Sequence, residues 1–277
     1  MAIALGVAVS TAGRRDLAPL LQSVPPGVPV TVAWQCADDP PPLFRSDGER
    51  LRVVRSSGGV SQGRNDAVAE LGEVDYLLFP NDDTFYPDGF FDRVEDGLVD
   101  VGEPTVGLFD LQDVEGGRRV GIARWGEVSG GDSLRVLRCA HEPRLVVERR
   151  FFLRVGGFDT RLGVGSSSIL QAGEGADLVA KAVISGARVR DLAADICALE
   201  LPRQREGEQF AQKRAKYLPG AAWVLGAHPR LHGRTRALAR LTIGAVLRSR
   251  DARVIWLALE GYRRGRADAR RTDSRHL

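Results

Sequence analysis

Two pairs of adjacent aspartates, Asp38-Asp39 and Asp82-Asp83, each come directly after a short apolar run that reads as a buried strand. The runs are Val28 to Gln35 and Tyr76 to Phe79. Carboxylates placed just past such strands face a crevice rather than a core. Hard oxygen ligands of this kind suit Mg2+ or Mn2+, whose shell is completed by one or two carboxylates plus substrate phosphates. A plainer reading, an Asx turn leading into the next helix, stays open for Asp82-Asp83. Further on, Glu174 precedes an apolar helical stretch and Asp177 begins it. A carboxylate beside a reacting hydroxyl can act as general base, and a helix start also favours an acid for purely structural reasons.

The elements that must position these groups alternate along the first hundred residues. Ile3 to Val9, Val28 to Gln35, Leu51 to Val54 and Tyr76 to Phe79 read as strands. Leu17 to Gln22, a stretch capped by Ser61 and running to Leu71, and Gly89 to Leu98 read as helices. This alternation predicts an α/β fold with a mostly parallel central sheet covered on both faces, with ligands collecting at the carboxyl ends of the strands. Beyond residue 100 the pattern loosens. Thr105 to Phe109 and Leu145 to Val147 read as strands, Asp113 to Gly117 as a turn, and Phe151 to Val155 as a helical turn. Gly163 to Gly173 reads as a mobile Gly/Ser loop, Ala176 to Ser185 as a helix and Arg188 to Leu192 as the last strand. Helices alone are expected from Glu206 onward. The expected organisation is a domain over 1–200, with halves at about 1–100 and 101–200, and a basic helical extension over 201–277.

Four blocks in this order resemble the family 2 glycosyltransferases. They are Val7 to Asp16, Ser57 to Ala67 (SGGVSQGRNDA), Phe79 to Pro87, and Val155 to Asp159 with Gly173 to Leu178. The resemblance spans roughly residues 3–195. It implies the GT-A fold and transfer of a hexosyl or deoxyhexosyl group from a nucleoside diphosphate sugar to a glycan or lipid-linked acceptor, with inversion. It implies that the loop at Thr11 lies along the nucleotide, that Asp39 contacts base or ribose, and that Arg64 and Asn65 start a helix near the diphosphate. It implies that Asp82 contacts ribose and Asp83 ligates Mn2+ or Mg2+. Bacterial polysaccharide biosynthesis at the cell envelope is the implied setting.

Two departures touch the acceptor side. Many relatives carry Glu-Asp followed two residues later by Asp, whereas this block is Glu174-Gly175-Ala176-Asp177. Glu174 is therefore the expected base, with Asp177 next. Relatives also place a His after the last strand to complete the metal shell; Arg190 to Pro202 holds none. Glu200 is considered as its substitute and not adopted. His141, next to Glu142, reads as ordinary surface chemistry, and His228 as part of a basic tail without ligand spacing. Two other readings are retained: a non-catalytic GT-A scaffold protein in polysaccharide assembly, and a sugar nucleotidyltransferase, of which Ser10 to Arg15 is a faint echo.

Lys and Arg number 39 against 36 Asp and Glu, and a net charge of +3 is too small to argue for a nucleic-acid partner. Three cysteines without a C-x-x-C argue against a disulfide framework and fit a reducing cytoplasm. The short apolar start reads as a strand rather than a leader. From Arg234 to Arg264 apolar residues alternate with Arg. Such helices either pack on the domain or lie on the inner, anionic face of a membrane, which would suit a lipid-linked acceptor.

Overall fold

The computed structural model describes residues 3–12, 16–41, 50–114, 123–200, 208–249 and 251–273. Gly13 to Arg15, residues 115–117 of the expected turn, the start of the helical extension over 201–207, and the terminal 274–277 lie outside the described residues.

The first half holds β1 (Leu5–Thr11), α1 (Ala18–Ser23), β2 (Val30–Trp34), β3 (Leu51–Arg55), α2 (Val60–Glu70), β4 (Tyr76–Leu78), β5 (Thr84–Phe85) and α3 (Phe90–Asp100). It continues with β6 (Val106–Leu108), β7 (Asp110–Asp113), α4 (Asp132–Cys139), β8 (Leu145–Glu148), α5 (Arg149–Arg154), α6 (Glu174–Ile184), β9 (Val189–Asp191) and β10 (Cys197–Glu200). Three long helices close the chain: α7 (Glu208–Ala227), α8 (Arg234–Ser249) and α9 (Arg253–Asp273).

The main sheet has seven strands in the order β3-β2-β1-β4-β8-β6-β9. β1 to β4 run parallel, β8 runs antiparallel to both neighbours, and β6 and β9 are parallel. The α/β expectation with a mostly parallel sheet therefore holds. Strand periodicity divides the core in two. Leu5, Val7 and Val9 of β1 join the layer of α1 and α3, while Ala8 joins the layer of α2 and α6. All seven residues of β1 are buried, as a strand covered on both faces requires.

Some elements depart from the sequence reading. β5, β10 and β7 form a second, three-stranded sheet, so the strand ending at Asp191 is not the last. These strands are two to four residues long, and β7 (Asp-Leu-Gln-Asp) has a single apolar residue, too little for a period of two to register. Ser61 does not cap α2: Gly59, at φ 94°, is its N-cap. Ser61 lies inside the first turn and donates its hydroxyl to the carbonyl of Leu162 at 2.8 Å. The Gly163–Gly173 loop is pinned, with Val60 N–H donating to Val164 O at 2.9 Å and Gln171 Nε2 to Ser168 O at 2.6 Å.

The terminal helices pack on the domain. Trp223, Val224 and Leu225 of α7 enter the same core layer as α6, and Val254 and Ala258 of α9 are buried against α7. α7 and α9 approach backbone to backbone. A Cβ at Gly226 would fall 2.2 Å from Tyr262 O, one at Gly261 2.2 Å from Pro219 O, and one at Gly265 2.2 Å from Trp223 O. Glycine is required there by the approach itself. Gly261→Ala should therefore force the two helices apart and cost about 1–3 kcal/mol, read as a lowered midpoint in a urea melt. A midpoint equal to the parent's would show that the contact is not tight in solution.

Candidate functional site

Strand order reverses direction at β1, which lies between β2 and β4. In open sheets of this type that reversal opens a crevice at the carboxyl ends. β1 ends at Thr11, and β4 leads through Phe79 and Pro80 into Asn81-Asp82-Asp83. The two ends meet: Thr11 Oγ1 donates to Asp82 Oδ2 at 2.9 Å. Thr11 and Asp83 are buried and Asp82 is half-buried.

α2 supplies the positive charge. Its N-terminal part presses onto β1, where a Cβ at Gly63 would fall 2.3 Å from Ser10 Oγ. That closeness carries Arg64 to the strand ends. The Arg64 side chain is buried, donates from Nη2 to Asn81 Oδ1 at 3.1 Å, and pairs through Nη1 with Glu174 Oε1 at 3.6 Å. Its Nε and Nη1 have no hydrogen-bond partner among the described residues. Asn81 in turn donates from Nδ2 to Glu200 Oε1 at 3.1 Å. Asn65 takes another part: its amide donates to Phe158 O at 2.8 Å and accepts from Phe158 N at 2.9 Å. Both ends of that side chain thus clamp the segment entering the Gly/Ser loop.

Asp39 lies apart from this cluster. It is exposed and forms an ion pair with Arg55 of β3, whose guanidinium also donates to Asp38 O at 2.8 Å. Arg55, Ser57, Gly58, Gln62 and Thr160 line an open cleft of about 720 Å3 between the start of α2 and the Gly/Ser loop. Asp39 therefore stands near its rim through Arg55, while Asp82 and Asp83 belong to the crevice between β1 and β4.

The acceptor-side acids have unlike environments. Asp177 is buried, its Oδ1 lies 2.7 Å from His228 Nε2 and its Oδ2 2.8 Å from Lys181 Nζ. Burial opposes its charge, but the His228 hydrogen bond and the Lys181 charge outweigh that and hold the carboxyl below the usual range. That ties α6 to the end of α7, a contact that the sequence reading of His228 as a tail residue missed. Glu174 is also buried, and burial, reinforced by the Glu142 charge and opposed by Arg64, pushes its carboxyl up to about 8. Glu142, beside the His141 that was read as surface chemistry, is half-buried, and its Oε1 accepts the backbone N–H of Gly175 at 2.7 Å.

Asn81, Glu142, Glu200 and His228 were not assigned site roles from sequence. Asn81 and Glu200 had a usable signal, since each borders a strand end of the crevice. For His228, 51 residues from Asp177, sequence carried none. A divalent cation fits the donor set in one way. No cluster of three or more His, Cys, Asp or Glu that could hold a metal is found among the described residues. Asp82 and Asp83 offer only oxygen, the partial shell that Mg2+ or Mn2+ takes when a diphosphate supplies the rest.

No family model and no curated protein matches the sequence. Solved structures do. S. aureus TarS 1-349 in complex with UDP-GlcNAc aligns over 98% of this chain and 92% of its own, with TM-score 0.57 and 18% identity. The mannosyltransferase PcManGT from Pyrobaculum calidifontis, in complex with GDP-Man and Mn2+, aligns over 94% and 74%, with TM-score 0.59 and 15% identity. GalNAc-T7 with UDP, GalNAc and Mn2+ aligns over 82% and 48%, with TM-score 0.55 and 13% identity. Identities of this size establish the fold and nothing finer. The protein has the GT-A glycosyltransferase fold, and the helices α7 to α9 follow it at the C-terminal end.

The Glu174 environment gives a signed pH effect. A carboxyl raised from 4.5 to about 8 on folding means that the native state holds more protons than the unfolded chain between those values. Stability then falls as pH rises through that window and levels off above it. Glu174→Gln removes the effect. The variant should match the parent at pH 4 and melt higher at pH 8 by about 3 °C or more. Parallel melting curves across the range would contradict the assignment.

Proposed function

We propose that the protein is a sugar-nucleotide-dependent glycosyltransferase of the family 2 type. It moves a hexosyl or deoxyhexosyl group from a nucleoside diphosphate sugar to a hydroxyl of a glycan or lipid-linked acceptor, with inversion at C1. The observation that carries the reading is the meeting of Thr11 with Asp82, beside the buried Asp83, at the point where strand order reverses in a GT-A sheet. Further support comes from the donors in two structures of the same fold, UDP-GlcNAc with TarS and GDP-Man with PcManGT.

In this reading Asp39 and the loop at Thr11 meet the nucleoside, Asp82 its ribose, and Asp83 holds Mn2+ or Mg2+. The cation, when bound, would neutralise charge building on the departing diphosphate. Arg64 backs that end of the site with a buried positive charge, and Asn65 fixes the wall behind it. A carboxylate beside the N-terminus of α6 takes the acceptor proton, and Glu174 is the residue to which sequence points for that part.

A peripheral contact with an anionic membrane fits the last two helices. On α8, Arg236, Arg240, Ile243 and Leu247 recur at helical spacing and are exposed, Leu247 by 75%. On α9, Ile255, Trp256 and Leu259 are exposed, Trp256 by 60%. Apolar side chains beside arginines suit the interface of an anionic bilayer, and no helix among the described residues is long and apolar enough to cross one.

Two measurements test these assignments. UDP or GDP with Mn2+ should raise the melting temperature, since a ligand at 100 times its Kd adds about 2.7 kcal/mol. Asp83→Ala or added EDTA should remove most of that rise, and a rise that survives both would sink the metal role of Asp83. In the second, the parent should sediment with vesicles of phosphatidylglycerol and phosphatidylcholine but not with phosphatidylcholine alone. Leu247→Ser/Trp256→Ser should weaken that binding about tenfold or more, as loss of two buried apolar side chains implies. Equal binding of both proteins would leave the helices with packing alone.

A further inference from the structure

Glu142 stands at the site with no part in the reading so far. It opens a 3-10 turn, Glu142–Arg144, that runs straight into β8. Pro143 and Arg144 of this turn are buried. The Arg144 guanidinium donates to the carbonyls of Phe109 at 2.7 Å and Ala123 at 2.8 Å, and lies 3.7 Å from Asp110 and 3.9 Å from Asp191. A buried charge tied to partners on three separate segments fixes the turn that bears Glu142.

From that turn Glu142 reaches the second residue of α6. Its Oε1 accepts the Gly175 N–H, one of the unsatisfied donors at a helix start, and Oε2 is left for another partner. Gly175 has no positive φ, so its backbone does not call for glycine. Its missing side chain does. A Cβ at 175 would fall 2.5 Å from Glu142 Oε1 and 3.0 Å from the Glu142 carboxyl carbon. A side chain at 175 and the carboxylate of Glu142 thus compete for one volume, and this chain fills it with Glu142. A second observation points to the same place. Arg64, buried and lacking hydrogen-bond partners at Nε and Nη1, faces Glu174 from the other side.

We propose that Glu142 is the catalytic base of the transfer, its carboxylate standing where an acidic side chain at position 175 would otherwise reach, with Glu174 a positioning residue between it and Arg64. The proposal rests on the transferase reading above. The acceptor hydroxyl gives its proton to Glu142 Oε2. The acceptor oxygen forms the new bond to C1 of the donor sugar, and the C1–oxygen bond to the diphosphate breaks with its electron pair leaving on the nucleoside diphosphate. One carboxylate charge is lost, one phosphate charge is gained, and Glu142 returns its proton to solvent. Glu174 suits the supporting part, because burial and the neighbouring Glu142 charge keep its proton bound near neutral pH. Glu142 is half-buried, so a hydroxyl can reach it.

The test uses the full chain with Mn2+ and a panel of UDP-, GDP- and dTDP-sugars, water serving as acceptor. It reads nucleoside diphosphate release and, separately, the thermal shift caused by each donor. Glu142→Gln keeps an acceptor oxygen for the Gly175 N–H and should lower release at least 100-fold with the donor shift unchanged. The Glu142→Ala/Gly175→Asp double variant returns a carboxylate to the same volume from α6 and should recover at least tenfold over Glu142→Ala. A merely structural Glu142 would give a lowered melting point in Glu142→Gln and no recovery in the double variant, and that result overturns the proposal. So does release within threefold of the parent in Glu142→Gln while Glu174→Gln abolishes it, which returns the base to Glu174. If the parent binds and releases from no donor in the panel, the transferase reading fails and this role fails with it.

Discussion

A buried guanidinium is the constraint around which this site is arranged. Arg64 has almost no exposed surface, and an uncompensated charge at such a depth costs several kcal/mol. Two separate elements meet it: the Asn81 amide oxygen on the loop after β4, which accepts from Nη2, and a Glu174 carboxyl oxygen at the start of α6, 3.6 Å from Nη1. The donor-side strands and the acceptor-side helix are therefore held in register by one side chain. The surroundings are built to keep it there. Gly63 lets α2 settle on β1, Asn65 clamps Phe158, and the Phe158 ring lies 5.7 Å from the Arg64 guanidinium carbon. Glycines at 59 and 163 let the Gly/Ser loop close over the helix start, since side chains there would collide with Gly165 backbone and with Val60 and Ser61.

The strand ends that carry the proposed donor-side residues were legible in sequence because they close strong local signals. Thr11 and Asp82-Asp83 each close a run of buried residues, and the place of a strand end in an α/β sheet says what its next residues face, whereas Asp39, beyond the end of β2, is exposed and paired with Arg55. The start of α2 could be placed by the same logic, though not the depth at which Arg64 lies. The acceptor half was less legible because its contacts join remote segments. Glu142 meets Gly175 across 33 residues and His228 meets Asp177 across 51. Both partners come from segments whose sequence resembles ordinary surface. Asp177, an expected second choice of base, is committed instead to His228 and Lys181, an arrangement that fastens α7 to α6.

The main-sheet strands and the helices of the first hundred residues were placed to within about two residues, but α4 (Asp132–Cys139) was not anticipated and the three long terminal helices were expected only as a helical stretch. The second sheet was not anticipated either, since Asp110–Asp113 and Cys197–Glu200 pair with each other rather than bury a continuous face. The final helices gave an ambiguous pattern because they do two things at once. Gly226, Gly261 and Gly265 bring α7 and α9 into backbone contact, which reads in sequence as a lack of apolar bulk. The arginines and exposed Leu247 and Trp256 lie on what remains outside.

Glycine at position 175 has the widest consequence for mechanism. Gly175 lies in the first turn of α6, where what its missing side chain leaves open is taken by the Glu142 carboxylate. Removal of the side chain admits a carboxylate from the 3-10 turn, and the helix start supplies it with a backbone donor and a favourable dipole. The acid is thereby moved from a helix to a turn without leaving its place in the site. Such a move works only if the turn is as rigid as the helix it replaces, and Arg144 meets that condition through its ties to β7, β9 and the segment before α4. Two buried arginines thus divide the work: Arg64 fixes where the acids gather, and Arg144 fixes which of them reaches the open side.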